Sequence, residues 1–137
     1  MQDQAPQNQQ QLGEWAREQF QKANRHLAEN GLLFESVVAE ESRYLAPFIA
    51  IWKINTSDKK QLWVVSGDLP VDFIPVSVAD SARTALKHFA LKWQLQAENI
   101  RQQVTNDKTQ LDYAALLESR AESLFEMESQ DKLWQQQ

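Results

Sequence analysis

Two apolar stretches in the middle of the chain decide the fold: Leu45-Ala-Pro-Phe-Ile-Ala-Ile-Trp-Lys-Ile54 and Leu62-Trp-Val-Val-Ser-Gly-Asp-Leu-Pro70. The residues between them, Thr56-Ser-Asp-Lys59, are turn formers, so the three segments together predict a β-hairpin. A hairpin alone is only marginally stable in water. We therefore expect a third strand from residues 33–45 and helices that cover at least one face of the sheet.

Antiparallel counting across this turn predicts the register of the hairpin. It puts Asn55 opposite Lys60 and Trp52 opposite Trp63. One face of the hairpin would then carry Ala50, Trp52, Ile54, Trp63 and Val65. The other face would carry Ile49, Ile51, Leu62 and Val64. Both faces are apolar at the centre, so at least one of them is expected to be covered by helices.

The segments on either side of the hairpin predict helices. Before it, apolar residues recur with the three-and-four spacing of one helical face, and Asn30-Gly31 supplies a stop: Leu12, Trp15, Ala16, Phe20, Ala23 and Leu27. After it, residues 71–75 are expected to form a loop because Pro70 and Pro75 each disfavour helix in the preceding residue. A long apolar seam from Val78 to Val104, with Ser77 as its N-cap, predicts the longest helix.

A final helix is predicted after Asp107 or Thr109, either of which suits its N-cap. The short connection predicts that the last two helices pack antiparallel. The sequence therefore predicts an α+β fold: an N-terminal helix, a two- or three-stranded antiparallel hairpin sheet, and two long antiparallel helices. Residues 1–11, which include six Gln, are predicted to be a disordered tail, and residues 12–134 a single domain.

Composition excludes several classes of function. The net charge of −5 disfavours nucleic acids and anionic membranes as partners, and the absence of Cys excludes disulfides and thiolate metal sites. No apolar run approaches the roughly 20 residues of a membrane span, and the N-terminus does not resemble a secretory signal, so a cytoplasmic location is expected. The three Gly residues form no phosphate-binding loop, and no catalytic motif or metal-ligand pattern is present. We expect no cofactor.

Five residues form the candidate ligand or partner site: Arg43, Tyr44, Trp63, Asp68 and His88. Arg43 could hold a carboxylate or phosphate, or pair with Glu40 or Glu41 on the surface. Asp68 stands at a strand end, where sites are often built, but its side chain and Gly67 also suit a structural turn. His88 could act as a general base or be a half-buried polar residue at the edge of a helix.

Three segments carry a resemblance to a known family: Glu41-Ser-Arg-Tyr-Leu-Ala-Pro47, Trp63-Val-Val-Ser-Gly-Asp-Leu-Pro70 and His88-Phe-Ala-Leu-Lys-Trp-Gln-Leu-Gln-Ala-Glu98. The chain resembles a family of small uncharacterised Gram-negative bacterial proteins, described as a domain of unknown function. The resemblance covers nearly everything after the tail. It implies a compact bacterial cytoplasmic protein and supplies no activity, cofactor or site.

The favoured function is a non-enzymatic protein-interaction module, similar to a chaperone or an adaptor. One alternative is a small-molecule-binding protein or enzyme with a pocket between the hairpin and the long helix, and another is an immunity-type protein that neutralises a toxin. Leu91 and Leu95 add an apolar strip to the long helix, which a homodimer or the first helix could cover. Trp134 is either a contact onto the body of the protein or an anchor for a partner.

Overall fold

The computed structural model describes residues 9–104 and 106–135. The helices and strands are α1 (Gln9–Glu29), β1 (Phe34–Val37), β2 (Arg43–Leu45), β3 (Ile49–Thr56), β4 (Gln61–Gly67), β5 (Asp72–Pro75), α2 (Ala82–Gln103) and α3 (Lys108–Ser129). This order confirms the α+β class, with an N-terminal helix, an antiparallel sheet and two long helices. The chain forms two compact units that meet in sequence between Ala82 and Arg83. The single domain over residues 12–134 stays a prediction.

Helix α1 begins three residues earlier than predicted. Gln9 to Gln11 belong to the helix, and the rest of the predicted tail, residues 1–8, lies outside the described residues. Its predicted end is confirmed: Gly31 has a φ of +78°, and the amide of Leu32 donates to the Leu27 carbonyl at 2.8 Å. A left-handed residue just after the last turn is the usual way to end a helix, and Gly accepts it without steric cost.

Within the described part of the chain, the sheet has five strands rather than two or three. Its order is β1-β3-β4-β5, and β2 also pairs with β3. Since β4 covers one edge of β3, strands β1 and β2 share the other edge: β1 pairs with residues 54–56 and β2 with residues 49–51. The expected loop at residues 71–75 contains β5, which pairs with β4. Pro disfavours helix but is tolerated at the end of an outer strand.

The predicted register of the hairpin is wrong by one residue. Asn55 lies opposite Gln61, and Trp52 lies opposite Val64. The cause is the loop, in which the amide of Thr56 donates to the Lys60 carbonyl at 2.9 Å and Lys59 has a φ of +72°. This is a three-residue loop closed by a left-handed residue, and not the four-residue loop that we counted. A slip of one residue turns every side chain of the second strand to the other face, so the two tryptophans lie on opposite faces.

Both faces of the sheet are buried at the centre. One face packs with α1 in an apolar cluster of buried residues: Ala16, Ala23, Leu27, Ala50, Trp52, Ile54, Leu62 and Val64. The opposite face buries Ile49, Ile51, Trp63 and Val65. The Trp63 indole N–H is satisfied within the same unit, because it donates to the Ala79 carbonyl at 2.8 Å.

Helix α2 begins four residues later than predicted. Val76–Val78 form a separate 3-10 turn, so Ser77 does not cap α2 and Val78 is exposed. The reason is Ala79, whose extended backbone (φ −154°, ψ 131°) interrupts helical hydrogen bonding. Asp107 is the cap of α3, since its side chain accepts from the Gln110 amide at 3.2 Å.

The second unit consists of α2, α3 and the C-terminal 3-10 turn Asp131–Trp134. Arg83 at the start of α2 lies 3.6 Å from a Glu128 carboxylate oxygen near the end of α3, so the two helices run antiparallel. Leu91 and Leu95 are exposed on α2. Across residues 9–104 and 106–135, no helix combines the length and the apolar character needed to cross a membrane.

Candidate functional site

An apolar groove lies beside the N-terminal half of α1. We call it the α1 groove, and its volume is about 550 Å³. Its lining residues come from α1, β1, β2, β3 and the 3-10 turn at residues 39–41: Gln9, Leu12, Gly13, Ala16, Arg17, Phe20, Val37, Ala39, Tyr44 and Trp52. All of them belong to the first unit. Gln9, Arg17 and the Tyr44 hydroxyl bring charge and hydrogen-bonding capacity to a wall that is otherwise apolar.

Edge-to-face aromatic contacts hold the wall of the α1 groove. The Tyr44 ring contacts Trp15 at 6.3 Å and Trp52 at 5.3 Å between centroids. Phe20 contacts Trp52 from α1 at 5.4 Å. Such pairs add about 0.5–1.5 kcal/mol each beyond the area they bury, so the rings are held in place before anything binds. Tyr44 nevertheless remains 47% exposed, which leaves an aromatic surface open at the groove.

A buried chain of hydrogen bonds fixes Trp52. Its indole Nε1 donates to Ser66 Oγ at 3.1 Å, and Ser66 Oγ donates to the Gln19 backbone carbonyl at 2.9 Å. Ser66 is fully buried. These two hydrogen bonds therefore connect Trp52, which lines the α1 groove, to β4 and to α1 through buried polar groups.

Gly13 lies in the interior of α1 and lines the groove. A Cβ built on it meets no atom within 4 Å, so neither packing nor an unusual backbone angle requires glycine there. Glycine in a helix interior is about 1 kcal/mol less favourable than alanine. The structural effect of this residue is to leave the wall of the groove without a side chain at that point.

Strand alternation separates two of the predicted site residues. Tyr44 pairs with Ala50 and shares the face of Trp52, whereas its neighbour Arg43 pairs with Ile51 on the opposite face. The Arg43 guanidinium donates to the backbone carbonyls of Glu40 and Ser42 at 3.4 and 3.2 Å. The structure therefore brings Tyr44, and not Arg43, to the α1 groove.

Of the other three candidates, Trp63 and Asp68 belong to the first unit but do not line the α1 groove. Trp63 is completely buried on the opposite face of the sheet, with Lys53 Nζ 5.7 Å from its ring centroid. Asp68 is exposed after β4, and its backbone amide donates to the Phe48 carbonyl at 3.2 Å. His88 is half-buried in α2 and belongs to the second unit. The site formed by all five residues stays a prediction.

The structure also shows the environment of Gly67 within the first unit and of Trp134 within the second unit. Gly67 is the last residue of β4 and has a φ of +147°, so the predicted positive φ is found. The Trp134 indole donates to the Met127 carbonyl at 3.1 Å, and Arg83 lies 6.0 Å from its ring centroid, so Trp134 contacts its own unit. Among the described residues no group of three or more His, Cys, Asp or Glu could hold a metal ion.

Sequence reasoning missed the α1 groove because its helix residues form the same periodic stripe as the core. Leu12, Ala16 and Phe20 read as positions that pack on the sheet, and only the pairing of β2 with β3 places Tyr44 beside them. One signal was available. Gly13 interrupts a good helical pattern where no turn is needed, and such a glycine often marks a packing or binding requirement.

The fold and the groove define an α+β protein with a preformed apolar surface beside its first helix. The family model described as a domain of unknown function (DUF4826) matches residues 8–134, so the chain belongs to that family. A search of curated proteins and a search of solved structures each find no match. Since the family description names no activity, the case for function depends on the geometry of the groove.

Proposed function

We propose that this chain is a non-enzymatic protein-interaction module, chaperone- or adaptor-like, whose α1 groove receives apolar side chains of a partner protein. One observation carries the proposal: the groove is open, about 550 Å³ in volume, and walled by aromatic rings already fixed by packing. Binding to a preformed surface avoids the cost of ordering its side chains. Exposed Tyr44 and half-buried Trp15 are of the residue types that dominate binding energy at protein interfaces.

The proposal includes a bacterial origin, a cytoplasmic location and a homodimer. The resemblance drawn from the sequence supports the first two. Exposed Leu91 and Leu95, one helical turn apart on α2, support the third. Light scattering after size-exclusion chromatography tests the homodimer: the Leu91→Lys, Leu95→Lys variant should be a monomer if this strip is the dimer surface, and a wild-type monomer contradicts that part of the proposal.

A small-molecule-binding protein is the second candidate. The volume of the α1 groove falls within the range of about 300–1,000 Å³ that is usual for small-ligand sites. The polar side chains of Gln9, Arg17 and Tyr44 on a mainly apolar wall also suit a compact ligand with both an apolar and a polar part. The two candidates share the groove but differ in what binds: a protein partner protects residues around the rim, whereas a small ligand perturbs only the residues inside it.

A Gly13 series tests the groove without disturbing the fold. Gly13→Ala should stabilise α1 by about 0.5–1 kcal/mol and leave the groove open, whereas Gly13→Leu should extend a larger side chain from a Cβ position that has no atom within 4 Å. A photo-crosslinking residue at Arg17, on the rim, should capture a partner in cells. The matched control is the same photo-crosslinking residue in place of Arg25, which is exposed two turns further along α1 and outside the groove lining.

We expect a partner protein that crosslinks to position 17 but not to position 25. Its crosslink should disappear in the Gly13→Leu variant and remain in the Gly13→Ala variant. Equal capture from both positions, or capture that survives Gly13→Leu in a folded protein, would contradict the proposal. Changes confined to groove amides in the presence of a small metabolite fraction, with no crosslinked protein, would instead select the second candidate.

A further inference from the structure

A second groove of the first unit lies at the end of the sheet that carries the hairpin loop. We call it the loop groove, and its volume is about 720 Å³. Its nine lining residues are Leu32, Lys59, Lys60, Gln61, Leu62, Phe73, Pro75, Val76 and Ser77. The apolar members form a surface for a hydrocarbon or aromatic body, and the two lysines stand next to each other. No member of this lining is acidic, although the whole chain has a net charge of −5.

The two ammonium groups are only weakly engaged. Lys59 Nζ lies 3.6 Å from a Glu35 carboxylate oxygen, and Lys60 Nζ lies 3.5 Å from an Asp58 oxygen. Strong charge-assisted hydrogen bonds are shorter, about 2.7–2.9 Å. Exposed ion pairs contribute only about 0–1 kcal/mol, and the lysine side chains here are 80% and 60% exposed. Both ammonium groups can therefore turn toward an added anion at little cost.

Asp58 has a second partner besides Lys60. Its Oδ1 accepts a hydrogen bond of 2.5 Å from the Thr56 hydroxyl. That hydrogen bond, with a smaller contribution from the charge of Lys60, holds the pKa of the Asp58 carboxyl below its usual value. One oxygen of the Asp58 carboxylate thus accepts from the Thr56 hydroxyl, and the other lies 3.5 Å from Lys60 Nζ.

The backbone of Lys59 gives an independent reason to look for a role here. Its φ of +72° is the left-handed conformation, which Gly or Asn adopts more readily than Lys. This position closes the three-residue hairpin loop, where glycine is the preferred residue. Lysine therefore occupies a site at which the loop alone favours another residue, and what it adds is an ammonium group at the groove.

We propose that the loop groove binds a small organic anion with an apolar body, a carboxylate on an alkyl or aryl chain. The carboxylate would be held by the ammonium groups of Lys59 and Lys60. The apolar body would lie over Leu32, Leu62 and Phe73, which are buried or half-buried in the lining. This site shares no lining residue with the α1 groove, so it can be tested independently of the proposed function.

Decanoate, below the concentration at which it forms micelles, is the probe. Titration into the full chain, followed by amide chemical shifts, should give saturable changes at Leu32, Gln61 and Val76. Decanol keeps the alkyl chain but lacks the charge, and acetate keeps the charge but lacks the alkyl chain. Each should bind at least about tenfold more weakly than decanoate, because the apolar surface alone or the two ammonium groups alone offer few contacts.

Variants decide whether the lysines are responsible. Lys59→Gly relieves the left-handed backbone, so it should fold at least as well as wild type, and combined with Lys60→Gln it should weaken decanoate binding at least about tenfold. Lys87→Gln, at an exposed lysine of the second unit, is the control and should bind as wild type does. No saturable binding, equal binding of decanol, shifts centred on Tyr44 of the α1 groove, or unchanged affinity in the double variant would each overturn the proposal.

Discussion

Ser66→Ala should be among the most destabilising single-oxygen deletions in the first unit. The Ser66 hydroxyl is fully buried and makes two hydrogen bonds at once: it accepts from Trp52 Nε1 at 3.1 Å and donates to the Gln19 carbonyl at 2.9 Å. Alanine removes both and leaves the polar atoms on either side buried. Because Trp52 forms the floor of the α1 groove, the same change should also loosen the groove.

The expected cost is about 1.5–4.5 kcal/mol. Leaving a buried donor such as the Trp52 N–H unsatisfied costs about 1–3 kcal/mol. The Gln19 carbonyl belongs to α1 and has the helical amide as a second partner, so its loss is nearer the net value of one ordinary hydrogen bond, about 0.5–1.5 kcal/mol. Alanine is smaller than serine by one oxygen, so a cavity adds little.

Urea unfolding followed by tryptophan fluorescence measures the free energy of unfolding. Ser57→Ala is the matched control because Ser57 is exposed in the hairpin loop, and it should change the free energy by less than about 0.5 kcal/mol. Trp52→Phe supplies a double-mutant cycle: if the indole–hydroxyl bond matters, Ser66→Ala should cost less in the Trp52→Phe background. Equal costs for the two serine variants, or strictly additive costs for Ser66→Ala and Trp52→Phe, would refute this account of the chain of hydrogen bonds.

Two further predictions concern the turns of the sheet. Gly67→Ala should destabilise the protein by about 3 kcal/mol or more, because the residue has a φ of +147° and an added Cβ would lie 2.8 Å from Ile49 Cα and overlap the Phe48 carbonyl oxygen. Urea unfolding measures this, with Gly13→Ala, which should stabilise, as the control. Equal effects of the two variants would rule the prediction out. Thr56→Val should raise the pKa of Asp58 toward its ordinary value, since the Thr56 hydroxyl is the main cause that lowers it. The lowered pKa means that the contribution of ionised Asp58 to stability is present above the unfolded pKa and is lost as pH falls through the folded one. A carboxyl titration by NMR measures the shift, and an unchanged pKa in the variant would show that the hydroxyl is not its cause.

Local patterns were enough for the order and type of the main elements. The three-and-four spacing from Leu12 to Leu27 and the Asn30-Gly31 stop predicted α1 to within three residues at its start, because helical periodicity and end signals act over a few neighbouring residues. Asp107 was one of two residues predicted as the cap of α3, with Thr109, and the structure selects Asp107. The strand count was not predicted correctly, since β1, β2 and β5 are only three or four residues long and depend on partners distant in sequence.

The candidate site shows the same division. Tyr44 was named as a candidate from its residue type, but its neighbours in the α1 groove were not, because they come from α1 and β3 and meet only once β2 pairs with the edge of β3. Arg43 adjoins Tyr44 in the chain and is nonetheless excluded from the groove, since consecutive strand residues face opposite sides of a sheet. Adjacency in sequence is a poor guide to adjacency in a site built on strands.

By itself, the sequence determined that a helix, an antiparallel hairpin and two long helices follow one another, because the type of each element depends on short-range periodicity and on capping residues. Only the tertiary structure decided which residues face each other. The left-handed Lys59 shortened the hairpin loop by one residue, and that single step sent Trp52 to the face of α1 and Trp63 to the other. Register is set by loop geometry and by the packing of whole faces, and neither is encoded within the few residues that a local pattern spans.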